Sequence, residues 1–428
     1  MLKDVLLTHK PTIILNGTDI TDLVTTLSIT ESLFDPVIRG YAQILNTAPA
    51  NVYQTVNTLG ELPKIEFSFH SLTKGKQEAE ITPKDLHVYD INVSPTDAGG
   101  NVTTITLNFM SKEYFTNQSR LVSKYFHDKI SSIVKDLCKE IDIKCETEET
   151  DEKLKRVLPY DSVFSHVIRL SKSARTNENP KDVDYIFYQD LKGKHYFKRI
   201  SSFKNKGVKW EYSVRLPKKD ISITDAKYSV IKYDVESVSP MRNALEGMYS
   251  SEIITFDTTF GLYYSKTHVY DIGKYTTLWK NPLVEVKDSF KQVANSGVAV
   301  RRFNKQRFLF DSSEEESGQD KVGYEDDWVG DRLATMQHID QNILYLNVPG
   351  NSDVKAGDII EVRNLIDEGA IKESKVNLKM KDVIKTGRFL ITTVSHDLLI
   401  RGGPKGGINT EYIMRIRAIK DSRGGEYA

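Results

Sequence analysis

The sequence predicts a mainly β protein with an α+β insertion: two similar antiparallel β-barrel domains and one inserted α+β domain. Strand-like runs occupy both ends of the chain, and the runs near the N-terminus repeat the pattern of those near the C-terminus. Between the two ends, from about residue 116, the apolar residues switch to a helical period. A repeat and a change of period together indicate one domain type used twice around a different domain.

The C-terminal barrel has the clearer pattern. Each of its runs is rich in β-branched and aromatic residues and is bounded by Gly, Pro, Asn or Asp, which is typical of short strands between turns. Residues alternate along the last run, so that one of its faces is more apolar than the other. The runs are Asn342–Val348, Gly357–Arg363, Gly387–Leu398 and Tyr412–Asp421.

The N-terminal region repeats this order more loosely. Gly60 and Glu61 lead into a run as Gly357 and Asp358 do. Three pairs of runs correspond: Ile65–Phe69 with Ile360–Val362, Leu86–Ser94 with Gly387–Ser395, and Ile105–Tyr114 with Ile413–Asp421. The alternative is that any two Greek-key-like sheets look alike at this level. The polar insertion Ile366–Lys385 has no counterpart in the first barrel.

The elements between these runs complete the prediction. Asn16-Gly17 predicts a hairpin, and Leu23–Ile29 and Gly40–Leu45 predict strands. Apolar residues at steps of three and four predict an amphipathic helix over Ser119–Ile141. Asp161 is the expected N-cap of a second helix. A Lys-Gly-Lys turn between Tyr185–Tyr188 and His195–Ile200 predicts a hairpin, and Asp331–Gln337 predicts a last helical turn.

These elements predict five segments. They are a first barrel domain over 1–115, an α+β domain over 116–220, a mixed β region over 221–335, a second barrel domain over 336–422 and a C-terminal tail over 423–428. The mixed region is expected to complete the α+β domain in part and to open the second barrel in part.

Composition excludes several functional classes. The 428 residues carry 59 basic and 59 acidic side chains, so the basic excess of nucleic-acid binders is missing. No window approaches the ~18 apolar residues of a transmembrane helix, so no membrane insertion is expected. The N-terminus has no signal-peptide pattern. Two cysteines, Cys138 and Cys145, fit a reducing cytoplasm and are expected to be half-buried thiols at a helix end.

Motifs for catalysis, cofactors or metals are missing as well. His127 and His166 lie on predicted helices and are interpreted as surface or satisfied side chains. His396-Asp397 lies in a strand pattern without a nucleophile motif. The carboxylate pairs Glu315-Glu316 and Asp326-Asp327 lie in polar loops, where solvation explains them better than glycoside hydrolysis. The sequence therefore predicts no catalytic, cofactor-binding or metal-binding residues, and no enzyme.

With this organisation, the chain resembles the central baseplate-hub protein of contractile-tailed bacteriophages. That family overlaps with the hub part of the type VI secretion spike and of related contractile injection systems. The resemblance spans nearly the whole chain, although no single motif is diagnostic. The stretches that carry it are Ile29–Tyr41, Leu59–Phe67, Pro159–Ile168, Leu245–Ile253, Ala356–Val362, Gly387–His396 and Arg415–Ser422.

The resemblance implies a structural protein with two tube-type β-barrel domains in each subunit. Three subunits would form a homotrimer, a pseudo-hexameric ring that joins the six-fold tail tube to the three-fold central spike and lines a channel for DNA. The implied partners are a separate spike protein, tail tube or tube-initiator proteins, inner baseplate or wedge proteins and the tape measure protein. The implied location is the tail baseplate of a virion that is assembled in the host cytoplasm.

Other functions remain open at this point. A hub of a bacterial contractile injection system would have the same architecture. A cell-wall hydrolase of the tail would need a cleft with paired acids. A receptor- or glycan-binding tail protein would need exposed aromatic side chains, and of the three tryptophans Trp279 and Trp328 lie in poorly patterned stretches.

Overall fold

The computed structural model describes residues 11–46, 62–71, 80–95, 103–151, 153–176, 182–213, 228–237, 239–257, 261–269, 299–303, 328–363, 386–402 and 408–421. Its first part carries the strands β1 Thr12–Leu15, β2 Thr18–Asp19, β3 Val24–Ser32, β4 Arg39–Asn46, β5 Lys64–Ser68, β6 Leu86–Pro95 and β7 Thr103–Ser111. The expected hairpin is confirmed, since Asn16 and Gly17 both have positive φ between β1 and β2. These are the conformations that an Asn-Gly turn supplies.

An α+β part follows the first seven strands. Its helices are α1 Lys112–Ser119, α2 Ile130–Lys139 and α3 Val163–Ser173, with a 3₁₀ turn at Ser201–Asn205. Its strands are β8 Leu121–Val122, β9 Tyr125–Lys129, β10 Cys145–Thr147, β11 Lys153–Val157, β12 Asp161–Ser162, β13 Tyr185–Gln189 and β14 His195–Arg199. The β13–β14 hairpin is confirmed in register, because Tyr185 pairs with Arg199 and Gln189 with His195.

The remaining described elements lead into the second barrel. They are β15 Trp210–Ser213, β16 Lys232–Ser237, α4 Pro240–Leu245, β17 Ser250–Asp257, β18 Leu262–Val269, β19 Ala299–Phe303, α5 Val329–Ile339, β20 Asn342–Pro349, β21 Ile359–Arg363, β22 Gly387–Gly402 and β23 Ile408–Lys420. The predicted turn at 331–337 is thus part of the longer helix α5. The predicted carboxylate pairs and the 366–385 insertion lie outside the described residues.

Three predictions of local structure are wrong. The single helix over Ser119–Ile141 is a strand followed by a helix, because β9 pairs along its whole length with β11 and only α2 is helical. Apolar residues at steps of three and four do not distinguish a helix from a strand followed by a helix when the strand's partner lies elsewhere in the sequence. The N-cap of α3 is Ser162, whose Oγ accepts a hydrogen bond from Ser165 N, whereas Asp161 forms an ion pair with Arg169. The run Ile105–Tyr114 also ends earlier than expected, since α1 begins at Lys112.

The largest sheet joins thirteen strands of the described residues and contains both barrels. In the first barrel the strands run in the order β3-β4-β7-β6-β5-β1, and in the second in the order β16-β20-β23-β22-β21-β15. In the first barrel the β1–β2 hairpin continues to Ile20, whose N donates to Ile13 O at 2.9 Å, and the chain then leads directly into β3. In the second, the end of β15 pairs with the segment just before β16, where Ser213 N donates to Tyr228 O at 3.1 Å.

The repeat predicted from the sequence is thus present in every strand of the two barrels except the closing ones. β5, β6 and β7 of the first barrel correspond to β21, β22 and β23 of the second. Ile65 opposes Leu86 as Ile360 opposes Phe389, so Ile65 and Ile360 are equivalent. A register shift also recurs at the equivalent place, next to Val88 in β6 and next to Ile391 in β22. Because a bulge re-aims a whole strand, a shared bulge indicates the same barrel geometry.

The closing strands of the two barrels differ. β1 pairs with β5 antiparallel, but β15 pairs with β21 parallel. β15 lies within 116–220, the range expected to hold the α+β domain, yet it belongs to the ring of the second barrel. The two barrels share one apolar cluster that includes Leu27 and Leu107 of the first barrel and Leu346 and Ile416 of the second. The α+β part has its own cluster around α2 and α3.

Candidate functional site: the outer face of the continuous sheet

Eight strands run edge to edge across both barrels in the order β16-β20-β23-β22-β3-β4-β7-β6. The two barrels meet where β3 pairs with β22, antiparallel, from Ser32 opposite Thr393 to Thr26 opposite Leu399. Alternate residues of each strand point into the barrel cores. The other side chains of these strands form one surface across both barrels, which we call the outer face.

Hydroxyl and amide side chains make up much of the outer face. They are exposed or half-buried, apart from the buried Ser28, and most of the residues between them belong to the barrel core. The uncharged polar members are Thr26, Ser28, Thr30, Ser32, Tyr41, Gln43, Asn92, Ser94, Thr104, Thr106, Asn108, Tyr345, Asn347, Thr393 and Ser395. A surface of this kind offers hydrogen bonds without a fixed charge.

The arginines of the outer face are matched by acidic side chains. Arg415 Nη2 donates to Asp397 Oδ1 at 2.9 Å. Arg417 Nη2 lies 2.9 Å from Asp340 Oδ1. Further ion pairs join Arg401 to Glu411 (3.7 Å) and Arg39 to Asp35 (2.8 Å). The guanidinium charges are therefore largely neutralised where they lie.

The junction between the barrels adds a row of side-chain hydrogen bonds on the same face. Ser28 Oγ donates to Asp397 Oδ1 at 2.6 Å. Two hydroxyl pairs continue the row, Thr30 with Ser395 at 2.8 Å and Ser32 with Thr393 at 3.0 Å. Cross-strand polar pairs of this kind stabilise and fix the register of a sheet. The junction is closed beneath by core packing, where the rings of Phe69 and Tyr412 meet edge to face at 5.4 Å.

Sequence reasoning singled out His396 and Asp397, and the strand places them on opposite faces. Asp397 lies on the outer face, whereas the imidazole of His396 is buried in the core and its Nδ1 lies 2.6 Å from Tyr412 Oη. Burial lowers the pKa of His396 to about 3, so the ring is neutral. The two side chains therefore do not form a catalytic pair.

The other singled-out residues have structural roles. His166 is buried on α3 with Nε2 2.9 Å from Val122 O, whereas its buried Nδ1 has no hydrogen-bond partner among the described residues, so only one ring nitrogen is satisfied as expected. His127 lies in strand β9 rather than on a helix, which corrects that expectation. Cys138 is fully buried within α2, not half-buried as expected, and Cys145 is half-buried at the start of β10. The described residues contain no group of three or more His, Cys, Asp or Glu that could hold a metal ion.

Two further observations concern binding. The indole of Trp328 is buried and donates from Nε1 to Ser173 O at 3.1 Å, so it offers no exposed aromatic surface for a glycan. Trp279 lies outside the described residues. Among the helices of the described residues, none is long and apolar enough to cross a membrane.

Glu31 is a chemically distinctive residue that sequence reasoning missed. It lies on the core side of β3, is only 1% exposed, and meets the Asp190 turn of the α+β part and the Ala356–Asp358 turn of the second barrel. Burial, with Asp190 and Asp358 adding to it, raises the pKa of Glu31 to about 8. The side chain is thus a neutral acid at the contact of three parts of the molecule. Its place in the alternation of β3 was the available signal, since Leu27, Ile29 and Glu31 share one face.

The fold of this chain, with paired barrels, a continuous sheet and an inserted α+β part, is also found among solved structures. The 43 kDa tail protein of prophage MuSo2 from Shewanella oneidensis has the same fold, with a TM-score of 0.51 and 11% identity over 96% of this chain and 98% of that one. The expected mainly β architecture and the resemblance to tail proteins are therefore confirmed at the level of the fold.

Two more solved structures are similar over most of their length. The tail protein from Neisseria meningitidis MC58 has a TM-score of 0.48 and 9% identity, covering 96% of both chains. An Escherichia coli component of the type VI secretion system has a TM-score of 0.41 and 12% identity, covering 98% of this chain and 80% of that one. No protein-family model and no curated protein sequence matches the chain.

Proposed function

We propose that this protein is the structural hub of a contractile phage tail baseplate. Three copies form a closed ring of six barrels that joins a six-fold tail tube to a three-fold central spike. The outer face of the sheet lines the channel of that ring. The protein acts by assembly and not by catalysis, and its place is the tail of the virion after assembly in the host cytoplasm.

The observation that carries this proposal is the equivalence of the two barrels in five of their six strands. A trimer of single-barrel subunits presents three equivalent sites and cannot match six tube subunits one to one. A trimer of chains with two equivalent barrels presents six, while the parts outside the barrels keep three-fold symmetry. The repeat is therefore what an adaptor between the two symmetries needs.

The strand number supports three copies. Each chain supplies eight strands to the continuous sheet, so three chains supply twenty-four. At a spacing of about 4.8 Å and a tilt of about 40°, a closed sheet of that size has a diameter of about 48 Å. A layer of side chains about 5 Å deep on each wall leaves a channel of about 38 Å, which is wide enough for a DNA duplex.

The chemistry of the outer face supports passage of DNA without tight binding. Unpaired lysines and arginines on a channel wall would bind phosphates and displace their counterions, which holds DNA in place. On the outer face, Arg415, Arg417, Arg401 and Arg39 lie against acidic partners. Between them lie hydroxyl and amide groups. DNA and the tape measure protein are therefore transient occupants of the channel, whereas spike, tube or tube-initiator, and inner baseplate or wedge proteins are the lasting partners.

The solution mass of the chain, with and without its spike protein, tests this function. We expect a species of three times the 48.7 kDa chain, either alone or once the spike is added, and electron micrographs of that species should show a ring with six lobes. A chain that stays monomeric under both conditions would overturn the proposal.

A further inference from the structure

The continuous sheet ends at two strands, β6 and β16, and each has an unpaired edge. These two strands are equivalent to the two strands that pair with each other at the junction between the barrels. β6 pairs with β5 only at Leu86 and His87, so beyond Val88 it has β7 on one side. β16 pairs with β20 along its length, and no described strand lies on its other side. By the order of strands in the two barrels, β6 is equivalent to β22 and β16 is equivalent to β3. β22 and β3 are the strands that pair at the junction.

The exposure of the side chains agrees with a missing strand. Ile91 and Val93 are 37% and 40% exposed on β6, whereas their equivalents on β22, Val394 and His396, are fully buried beside β3. On β16, Val235 is half-buried, whereas its equivalent on β3, Ile29, is fully buried. Apolar side chains along an open strand edge indicate a site for adding another strand.

We propose that β16 of one copy of this chain pairs antiparallel with β6 of the next copy, in the register of the β3–β22 junction. The inference rests on the proposed ring and names the contact that would close it. Ile29 opposes His396 in the junction, so Val235 opposes Val93 of the next copy. Likewise Ser28 opposes Asp397 and Thr30 opposes Ser395, so Asp234 opposes Ser94 and Glu236 opposes Asn92.

This register joins groups of matching chemistry. In the junction a serine of β3 donates to an aspartate of β22, at 2.6 Å between Ser28 Oγ and Asp397 Oδ1. Between copies a serine and an aspartate again face each other. Here the aspartate, Asp234, lies on β16, the equivalent of β3, and the serine, Ser94, lies on β6, the equivalent of β22. The next pair brings the carboxylate of Glu236 to the amide of Asn92, which can donate to it. A shift of one residue would separate both pairs and set Val93 opposite a side chain of the other face of β16.

The contact is head to tail, since one copy offers β16 and the other β6. Such contacts close into a ring only when the rotation between copies divides a full turn, and otherwise continue as a filament. Each interface between copies would repeat the geometry of the junction inside the chain. All barrel-to-barrel contacts of the ring are then equivalent, as a pseudo-hexameric ring requires.

Paired cysteines test the register in the full chain. Asp234→Cys with Ser94→Cys places two thiols directly opposite, at the Cα separation of about 4.5–5.5 Å that a disulfide accepts. Asp234→Cys with Asn92→Cys is the matched control, because its two positions are diagonal and about 7–8 Å apart. Both pairs lie on exposed positions, so neither disturbs a core. The single variants control for Cys138 and Cys145.

Under mild oxidation we expect the first pair to give a covalently closed trimer, and the diagonal pair to give at least five-fold less of it. Equal or greater cross-linking of the diagonal pair would overturn the register. A trimer by mass that neither pair cross-links would place the interface elsewhere, and would leave the proposed hub intact. A chain that is monomeric alone and with its spike would overturn the hub itself.

Moving a carboxylate from one strand of this contact to the other tests the same contact independently. Ser94→Asp sets two carboxylates opposite each other and should raise the concentration needed for half-assembly at least ten-fold at low salt. Adding Asp234→Ser then reproduces the serine–aspartate pair of the junction and should restore assembly. Ser94→Asp without effect, or a loss that Asp234→Ser does not reverse, would contradict the assigned pair.

Discussion

The two barrels have the same strand order but fill their cores in opposite ways. In the first, Gly40 of β4 lies opposite Phe109 of β7. At the equivalent place in the second, Leu344 of β20 lies opposite Ala418 of β23. A large residue and a small one have exchanged strands between the barrels. Repeats thus conserve the volume of a pair, which packing constrains, and not the identity of either residue.

The barrels also differ in where their strands come from. All strands of the first lie between Thr12 and Ser111, whereas the second takes β15 and β16 from the middle of the chain. Between these strands and β20 the chain passes through α4, α5 and the sheet of β17, β18 and β19. The second barrel can therefore form only after more distant parts of the chain have met, which makes its folding the slower of the two.

Exchanging the Gly40–Phe109 pair should have the largest effect on stability. A Cβ at Gly40 would lie 2.3 Å from Ser28 O and 2.4 Å from Phe109 Cζ, so Gly40→Leu should cost about 3 kcal/mol of unfolding free energy. Phe109→Ala should cost about 3–5 kcal/mol through its cavity. The double variant has the residue sizes of the second barrel at this place. In denaturant unfolding its cost should be about 1–3 kcal/mol below the sum of the costs of the two single variants.

Leu344→Gly with Ala418→Phe is the reciprocal cycle and the matched control in the second barrel. If at either pair the cost of the double variant equals the sum of the costs of the two single variants, exchanging the large and the small residue does not compensate in stability.

Glu31→Gln should stabilise the protein by about 2–4 kcal/mol at pH 8, because burial holds the pKa of this carboxyl far above its ordinary value. In the unfolded chain the group loses its proton near pH 4.5, but in the folded chain only near pH 8. The folded state binds more protons between these values, so wild-type stability should fall as the pH rises through that window. Unfolding at several pH values checks this.

The Glu31→Gln variant should lack this fall of stability with rising pH. Glu80→Gln removes a carboxyl from an exposed position of the first barrel and should leave the slope unchanged. An unaltered pH profile in Glu31→Gln would show that Glu31 is ionised in the folded protein.

Tyr412→Phe should cost about 1–2 kcal/mol, because it removes the hydrogen bond to buried His396 and leaves Nδ1 without this partner. The first barrel has Val93 at the position of His396, so this pair is confined to the second. Thermal unfolding measures the cost, and Tyr345→Phe, at a 39% exposed tyrosine, serves as control. Equal effects of the two substitutions would show that the buried hydrogen bond does not contribute to stability.

Neutralising the acidic partners of the outer-face arginines should change stability least and DNA binding most. Asp340→Asn with Glu411→Gln removes the partners of Arg417 and Arg401. Exposed ion pairs contribute below about 1 kcal/mol, so the fold should tolerate the change. The assembled ring should then bind duplex DNA more tightly and with a steeper salt dependence.

Glu66→Gln with Glu80→Gln removes the same number of charges away from the outer face and is the matched control. An equal gain in DNA binding from both pairs would mean that net charge, and not the outer face, governs the contact.

The sequence by itself determined the fold class and the repeat. Apolar alternation along Tyr412–Asp421 and the match of Ile65–Phe67 to Ile360–Val362 are local patterns, since side chains on a strand must alternate between core and solvent. Turn chemistry at Asn16-Gly17 was equally readable, because Asn and Gly tolerate positive φ.

Only the tertiary structure decided which strands pair. β9 was predicted as part of a helix, because its partner β11 lies more than twenty residues away in sequence. No pattern in β15 showed that it would close the second barrel in parallel. The neutral outer face, the buried acid at Glu31 and the two open edges follow from such pairings. Distant segments supply their groups, and local sequence carries no record of which segments will meet.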